Sequence, residues 1–67
     1  MTATHYVYEV RGAETFTHHT SLRAAKSAAA ALARDGNTVD VVRWVAGQDG
    51  KPLTNIGRVH TSFPRHA

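Results

Sequence analysis

The segment from Thr20 to Gly36, TSLRAAKSAAAALARDG, most constrains the fold of this 67-residue chain. It predicts one alanine-rich helix, because apolar residues recur at spacings of three and four. The predicted inner stripe holds Leu22, Ala25, Ala29 and Leu32, widened by Ala28 and Ala33. Thr20 or Ser21 can cap the first turn, and Gly36 supplies a left-handed stop. The inner stripe is small and smooth, so the helix backbone can lie close to a sheet.

The opposite side of the predicted helix carries the cations Arg23, Lys26 and Arg34. Cations on one helix face have two interpretations, a solvated surface or a surface that contacts a charged partner. The solvated surface is favoured, since surface charge by itself is weak evidence of binding.

Two short strands are predicted before the helix. Residues 5–11 alternate in polarity, as a half-buried strand does. One face of that strand holds Tyr6, Tyr8 and Val10. Residues 12–14 form a turn, after which residues 15–19 can return as a second strand. In that hairpin we expect Phe16 on the tyrosine face.

Two further strands are predicted after the helix. Residues 38–46, TVDVVRWVA, are the most strand-like stretch of the chain. The dipeptide Asp49-Gly50 indicates a hairpin turn. Residues 53–61 form a weaker strand, interrupted by Gly57 and expected at an edge of the sheet. The fold class is therefore α+β, with a single helix on a small, mainly antiparallel sheet of three or four strands (ββαββ or βαββ).

The length predicts one domain with a small core, residues 1–67. Residues 62–67 are expected to fray, with Phe63 a candidate to fold back onto the core. There is no cysteine, so neither a disulfide nor a thiolate metal site adds stability. No apolar run approaches the roughly 18 residues that span a bilayer, and no leader pattern opens the chain. We therefore expect a cytoplasmic protein.

The strand at residues 38–46 is apolar on both faces. Val39, Val41 and Val45 alternate with Val42 and Trp44, whereas one helix covers only one face of a sheet. Either a bulge at Val41–Val42 reverses the alternation, or a partner covers the second face. We assign Val42 and Trp44 to the outer face as candidate protein-interface residues. Arg43 then points toward the helix side, with its guanidinium reaching solvent or Glu9.

Catalytic motifs are not evident in the sequence. There is no helical His-x-x-x-His pair, no Gly-rich phosphate loop and no nucleophile elbow. The best metal candidate is His18-His19, but neighbouring residues on a strand point to opposite faces. A domain of this size also has little room for a small-molecule pocket. We expect no enzymatic activity, no metal or other cofactor, and no small-molecule substrate.

The net charge of +3 permits either a nucleic acid or an acidic protein surface as partner. A phosphate-contacting surface would draw on Arg23, Lys26, Arg34, Arg43 and Arg58. These cations are spread evenly along the chain, and the aromatic residues are needed for the core. The leading hypothesis is a non-enzymatic module that binds a protein partner or a second copy of itself. Nucleic-acid binding is the alternative.

Three segments of the chain form a familiar combination: Tyr6 to Val10, Thr20 to Gly36 and Asp49 to Lys51. This order of hairpin, alanine-rich helix, valine strand and Asp-Gly-Lys turn resembles small uncharacterised strand-strand-helix-strand-strand modules of GC-rich bacteria and their phages. The arginine and alanine bias also fits GC-rich coding, so we expect an actinobacterial or actinophage source. Those modules have no established activity, so the resemblance implies no functional residues.

Overall fold

The computed structural model describes residues 4–12 and 14–64. Its elements are, in order, β1 (Tyr6–Gly12), β2 (Thr15–His19), α1 (Leu22–Arg34), β3 (Val39–Ala46) and β4 (Pro52–Ser62). The strands form one antiparallel sheet in the order β2-β1-β3-β4, and α1 packs on one of its faces. The predicted α+β class is confirmed, in its four-stranded ββαββ form.

Helix α1 begins and ends at the residues that the sequence marks. The Ser21 backbone is extended (φ −133°), and its hydroxyl accepts a hydrogen bond from the Ala24 amide at 3.1 Å. At the other end the chain leaves the helix through Gly36, which has a φ of +95°. Within the described residues, no helix has the length and apolarity needed to cross a membrane.

The core is the seam between the alanine stripe of α1 and the two central strands. Ala25 and Ala29 are fully buried against Val10 of β1 and against Val39 and Val41 of β3. Alanine has no side chain beyond Cβ, so the helix axis can approach the sheet closely enough for short valine side chains to fill the gap. The predicted inner stripe of the helix is confirmed.

The register between β1 and β3 decides which face of β3 meets the helix. Val10 lies opposite Val41 and Val7 lies opposite Trp44, without a shift along the pair. Because Val41 packs under the helix, alternation puts Val42 and Trp44 on the other side of the sheet, as predicted. We call this uncovered side the open face. The bulge anticipated at Val41–Val42 does not invert β3, because the extra residue there belongs to β4.

Phe16 lies on the opposite face from the one expected. It pairs with Arg11, so it joins the open face rather than the tyrosine face. The prediction treated residues 12–14 as the turn, whereas Gly12 pairs with Thr15 and is still part of the ladder. A turn shorter by one residue moves the register by one, and a one-residue slip sends every side chain of the strand to the other face.

The alanine seam yields a test of the helix orientation. Ala29→Asp forces a carboxylate into a fully buried position among apolar side chains, and we expect it to lower the free energy of unfolding by at least about 3 kcal/mol. Ala31→Asp makes the same change on an exposed position of the same helix. We expect it to cost under about 1 kcal/mol, mainly through helix propensity. Urea denaturation of both variants checks this, and equal losses would contradict the orientation.

Candidate protein-interaction surface

Strand β4 is an edge strand whose apolar side chains are not used by the core. Its pairing with β3 shifts at three places, and each shift skips one residue of β4. The skipped residues are Leu53, Ile56 and Val59, which are 69%, 52% and 36% exposed. We call these three residues the β4 row. Three large apolar side chains therefore stand in solvent along one edge of the sheet.

Local geometry before β4 and at its middle explains how this strand accommodates its irregular pairing. The preceding turn is closed by the Gly47 amide donating to the Lys51 carbonyl at 2.9 Å, and Asp49 Oδ1 accepts from the Lys51 amide at 3.0 Å. Gly57 has a φ of +128°, a conformation that side chains disfavour, so a glycine is needed within this bulged strand. The predicted edge position is confirmed, but Gly57 does not end the strand, which runs unbroken from Pro52 to Ser62.

The sequence prediction did not single out the β4 row. Its members recur every three residues, a period that matches neither the alternation of a flat strand nor the turn of a helix. When a bulge follows every second paired residue, two paired residues alternate with one unpaired residue, so the unpaired residues recur every three positions. That spacing was the available signal, whereas the strand was predicted to be weak because Gly57 interrupts it.

Phe63 follows β4 and does not return to the core as anticipated, since it is 71% exposed. It stands at an open groove of about 430 Å³ between the end of α1 and the end of β4, beside Ala33, Arg34 and His60. Of the tail predicted at residues 62–67, Ser62 belongs to β4, and residues 65–67 lie outside the described residues.

On the open face, long side chains shield the smaller apolar residues from solvent. Val7 and Val42 are each only 6% exposed although no helix lies over them. The half-buried indole of Trp44 stands directly across from Val7, and we attribute much of this cover to it. Its Nε1 is buried and has no hydrogen-bond partner. Of the two predicted interface residues, Val42 therefore has little area left for a partner, and Trp44 has more.

Charges on the open face are paired with one another. The buried carboxylate of Glu9 accepts from Nε of Arg11 and lies 3.3 Å from Nε2 of His18. Asp40 Oδ1 accepts from the Thr61 hydroxyl at 2.9 Å, with an Arg58 guanidinium nitrogen 3.9 Å away. Both acidic groups thus have cations beside them, and this face carries no concentrated positive charge.

The five arginine and lysine candidates for nucleic-acid binding do not meet on one surface. Three of them, Arg23, Lys26 and Arg34, are exposed on the helix, and Arg58 pairs with Asp40 on the opposite side of the sheet. Arg43 points to the helix side, where its guanidinium lies 5.0 Å from the ring centre of Tyr6 and 5.8 Å from that of Tyr8. Of the two positions expected for the Arg43 guanidinium, solvent or Glu9, contact with Glu9 does not occur, because Glu9 is on the open face.

The adjacent histidines diverge as predicted. His18 pairs with Glu9 on the open face, whereas His19 pairs with Tyr8 and places Nε2 3.1 Å from the Thr17 hydroxyl. In residues 4–12 and 14–64 there is no group of three or more histidine or acidic side chains that could hold a metal ion.

No protein-family model, curated protein or solved structure matches this chain. The resemblance to bacterial and phage modules noted from the sequence therefore stays a prediction.

The self-covering open face yields a second prediction. Trp44→Ala uncovers Val7 and Val42, and we expect it to lower the free energy of unfolding by about 2 kcal/mol. Trp44→Phe keeps an aromatic cover and removes the buried, unpaired N–H, so stability should stay within about 1 kcal/mol of wild type. Chemical denaturation with circular dichroism measures both. A Trp44→Ala variant as stable as wild type would show that the indole does not support this face.

Proposed function

We propose that this chain is a non-enzymatic interaction module that binds a protein partner through the β4 row and the adjoining margin of the open face. The observation that carries the proposal is the exposure of Leu53, Ile56 and Val59 on an edge strand. A cytoplasmic location, as expected from a sequence without an apolar run long enough to span a bilayer, belongs to the same proposal.

The physical argument starts from what the β4 row contributes to the fold. Each of its residues sits at a register shift, so polar side chains at these positions would leave the core seam unchanged. Exposed apolar side chains on a sheet edge also favour aggregation. A surface that does not stabilise the fold and endangers solubility is best explained by a partner that covers it.

The distribution of charge supports a protein partner over a nucleic acid. Phosphate binding needs several cations converging on one surface. Here the exposed helix cations and Arg58 lie on opposite sides of the sheet, and Arg58 and Arg11 already face carboxylates. The margin of the open face is thus close to neutral, which suits an apolar contact with a polar rim.

A capture experiment with paired variants tests this function. The row variant replaces all three residues with threonine (Leu53→Thr, Ile56→Thr and Val59→Thr), which keeps strand propensity and removes apolar surface. The helix variant replaces three cations with glutamine (Arg23→Gln, Lys26→Gln and Arg34→Gln). Immobilised wild type and both variants are exposed to lysate of the source organism, and bound proteins are quantified by mass spectrometry.

We expect the row variant to lose at least about 90% of a bound protein that the wild type and the helix variant retain, since removing apolar anchors costs more than removing rim charges. All three proteins should keep the same circular dichroism spectrum. Capture that depends on the helix cations and not on the β4 row would overturn the proposal.

Oligonucleotide binding tests the alternative directly. Labelled single- and double-stranded oligonucleotides are titrated at low and at moderate salt, because phosphate contacts release counterions and weaken steeply as salt rises. We expect no saturable binding at moderate salt. Tight binding that survives moderate salt and is lost in the helix variant would favour the nucleic-acid function.

A further inference from the structure

We propose that the partner of the β4 row is a second copy of this chain, joined across a two-fold axis at Ile56. This rests on the proposed function and names its partner. In the assembly, Ile56 meets Ile56 of the second copy, and Leu53 meets Val59 of the second copy. Both strands run antiparallel, and each contact occurs twice, as two-fold symmetry requires.

The spacing of the β4 row is symmetric about its middle residue. Leu53 and Val59 each lie three positions from Ile56, and all three are exposed. A two-fold axis at Ile56 therefore brings each apolar side chain of the row opposite another apolar side chain. A surface that complements itself in this way is the signature of an isologous contact.

The bulges restrict which strand can lie beside β4. A register shift after every second paired residue gives β4 a repeat of three residues. A regular strand repeats every two residues, so its side chains and backbone groups would not stay aligned with those of the β4 edge. Among the described strands β4 is the one with this repeat, because the pairings of β1 with β2 and with β3 run without a shift. A second β4 has the same three-residue repeat, so its apolar residues stay aligned with those of the first along the whole row.

The charges along β4 do not oppose the pairing. With the axis at Ile56, the exposed Arg58 of each copy faces Thr54 of the other, and Lys51 faces Thr61. No two cations are set against each other, although the chain as a whole is basic. A register moved by one or two residues sets no residue of the apolar row opposite another, and a move by three keeps two of the three apolar pairs.

The β4 edge is also long enough for a dimer. Three of its 11 residues are skipped in the pairing with β3, so β4 spans the length of the eight-residue β3, about 26 Å at a rise of 3.3 Å per residue. A standard interface buries about 800 Å² per partner, roughly one sixth of the 4935 Å² surface of this chain. The β4 row and the neighbouring margin of the open face can supply this area. The opposite sheet edge, β2, has only five residues.

Cysteine cross-linking tests the pairing and its register together. Every cysteine introduced is unique, because the chain has none. A disulfide requires two Cα atoms within about 7 Å. Ile56→Cys should therefore cross-link to itself under mild oxidation. Leu53→Cys and Val59→Cys should cross-link poorly alone and efficiently when mixed, with one of them carrying a size tag.

The control is Lys26→Cys, which puts an exposed thiol on the outer side of the helix. We expect Ile56→Cys to give at least tenfold more cross-linked dimer than Lys26→Cys at equal concentration.

Sedimentation velocity of the cysteine-free protein should show a concentration-dependent dimer. Ile56→Arg, which sets two guanidinium groups against each other on the axis, should raise its dissociation constant at least tenfold and leave the melting temperature of the monomer unchanged.

The outcomes separate this proposal from the proposed function. A wild type that stays monomeric at high concentration, while the row variant still loses a captured protein, overturns self-pairing and leaves a different protein as partner. A dimer that forms without the predicted cross-links overturns this register and axis. Loss of both dimer and captured protein in the row variant, with the predicted cross-links present, supports both proposals.

Discussion

The contact between the alanine stripe of α1 and the valines of β1 and β3 is the interaction on which the rest of the structure depends. Ala25, Ala29, Val10, Val39 and Val41 are all fully buried in it. Small side chains on both sides allow a close helix–sheet approach, which partly offsets the small size of the core. The area of sheet that such a core protects is limited, because one helix can cover only as much of the sheet as its own length.

That limit determines which surfaces stay exposed. Helix α1 has 13 residues and extends about 20 Å, whereas β4 runs along all eight residues of β3 and extends about 26 Å. The helix meets β4 near His60 and Phe63, so the stretch around Leu53 and Ile56 receives no cover from it. The β4 row thus combines bulges that leave its residues unpaired with an edge that the helix does not cover along its full length.

The open face and the β4 edge are both left uncovered by the helix, but they differ in how much apolar surface they expose. On the open face Trp44 stands beside the valines, and ion pairs neutralise Glu9 and Asp40, so little of Val7 and Val42 stays exposed, although Phe16 at the β2 side remains 64% exposed. At the β4 edge, bulges break the regular ladder and discourage indiscriminate strand addition. They leave Leu53, Ile56 and Val59 exposed at the same time. An edge that rejects regular strands and keeps an apolar row is suited to one matched partner, which is the basis of the proposed self-pairing.

The sequence by itself determined the local structure. A cap at Ser21, a stop at Gly36 and apolar spacings of three and four specify the helix, because capping and periodicity act within a few residues. Alternation in the valine strand likewise separated Val42 and Trp44 from Val39, Val41 and Val45, whereas the register with β1 decided which set faces the helix.

Only the tertiary structure decided the features that depend on register. The face of Phe16 follows from a turn that is one residue shorter than the sequence suggested. The tyrosine rings beside Arg43 come from another strand, and the β4 row exists because three shifts change the strand repeat from two to three. Register is set by the sum of contacts between distant segments, and a slip of one residue costs little locally but reverses every side chain.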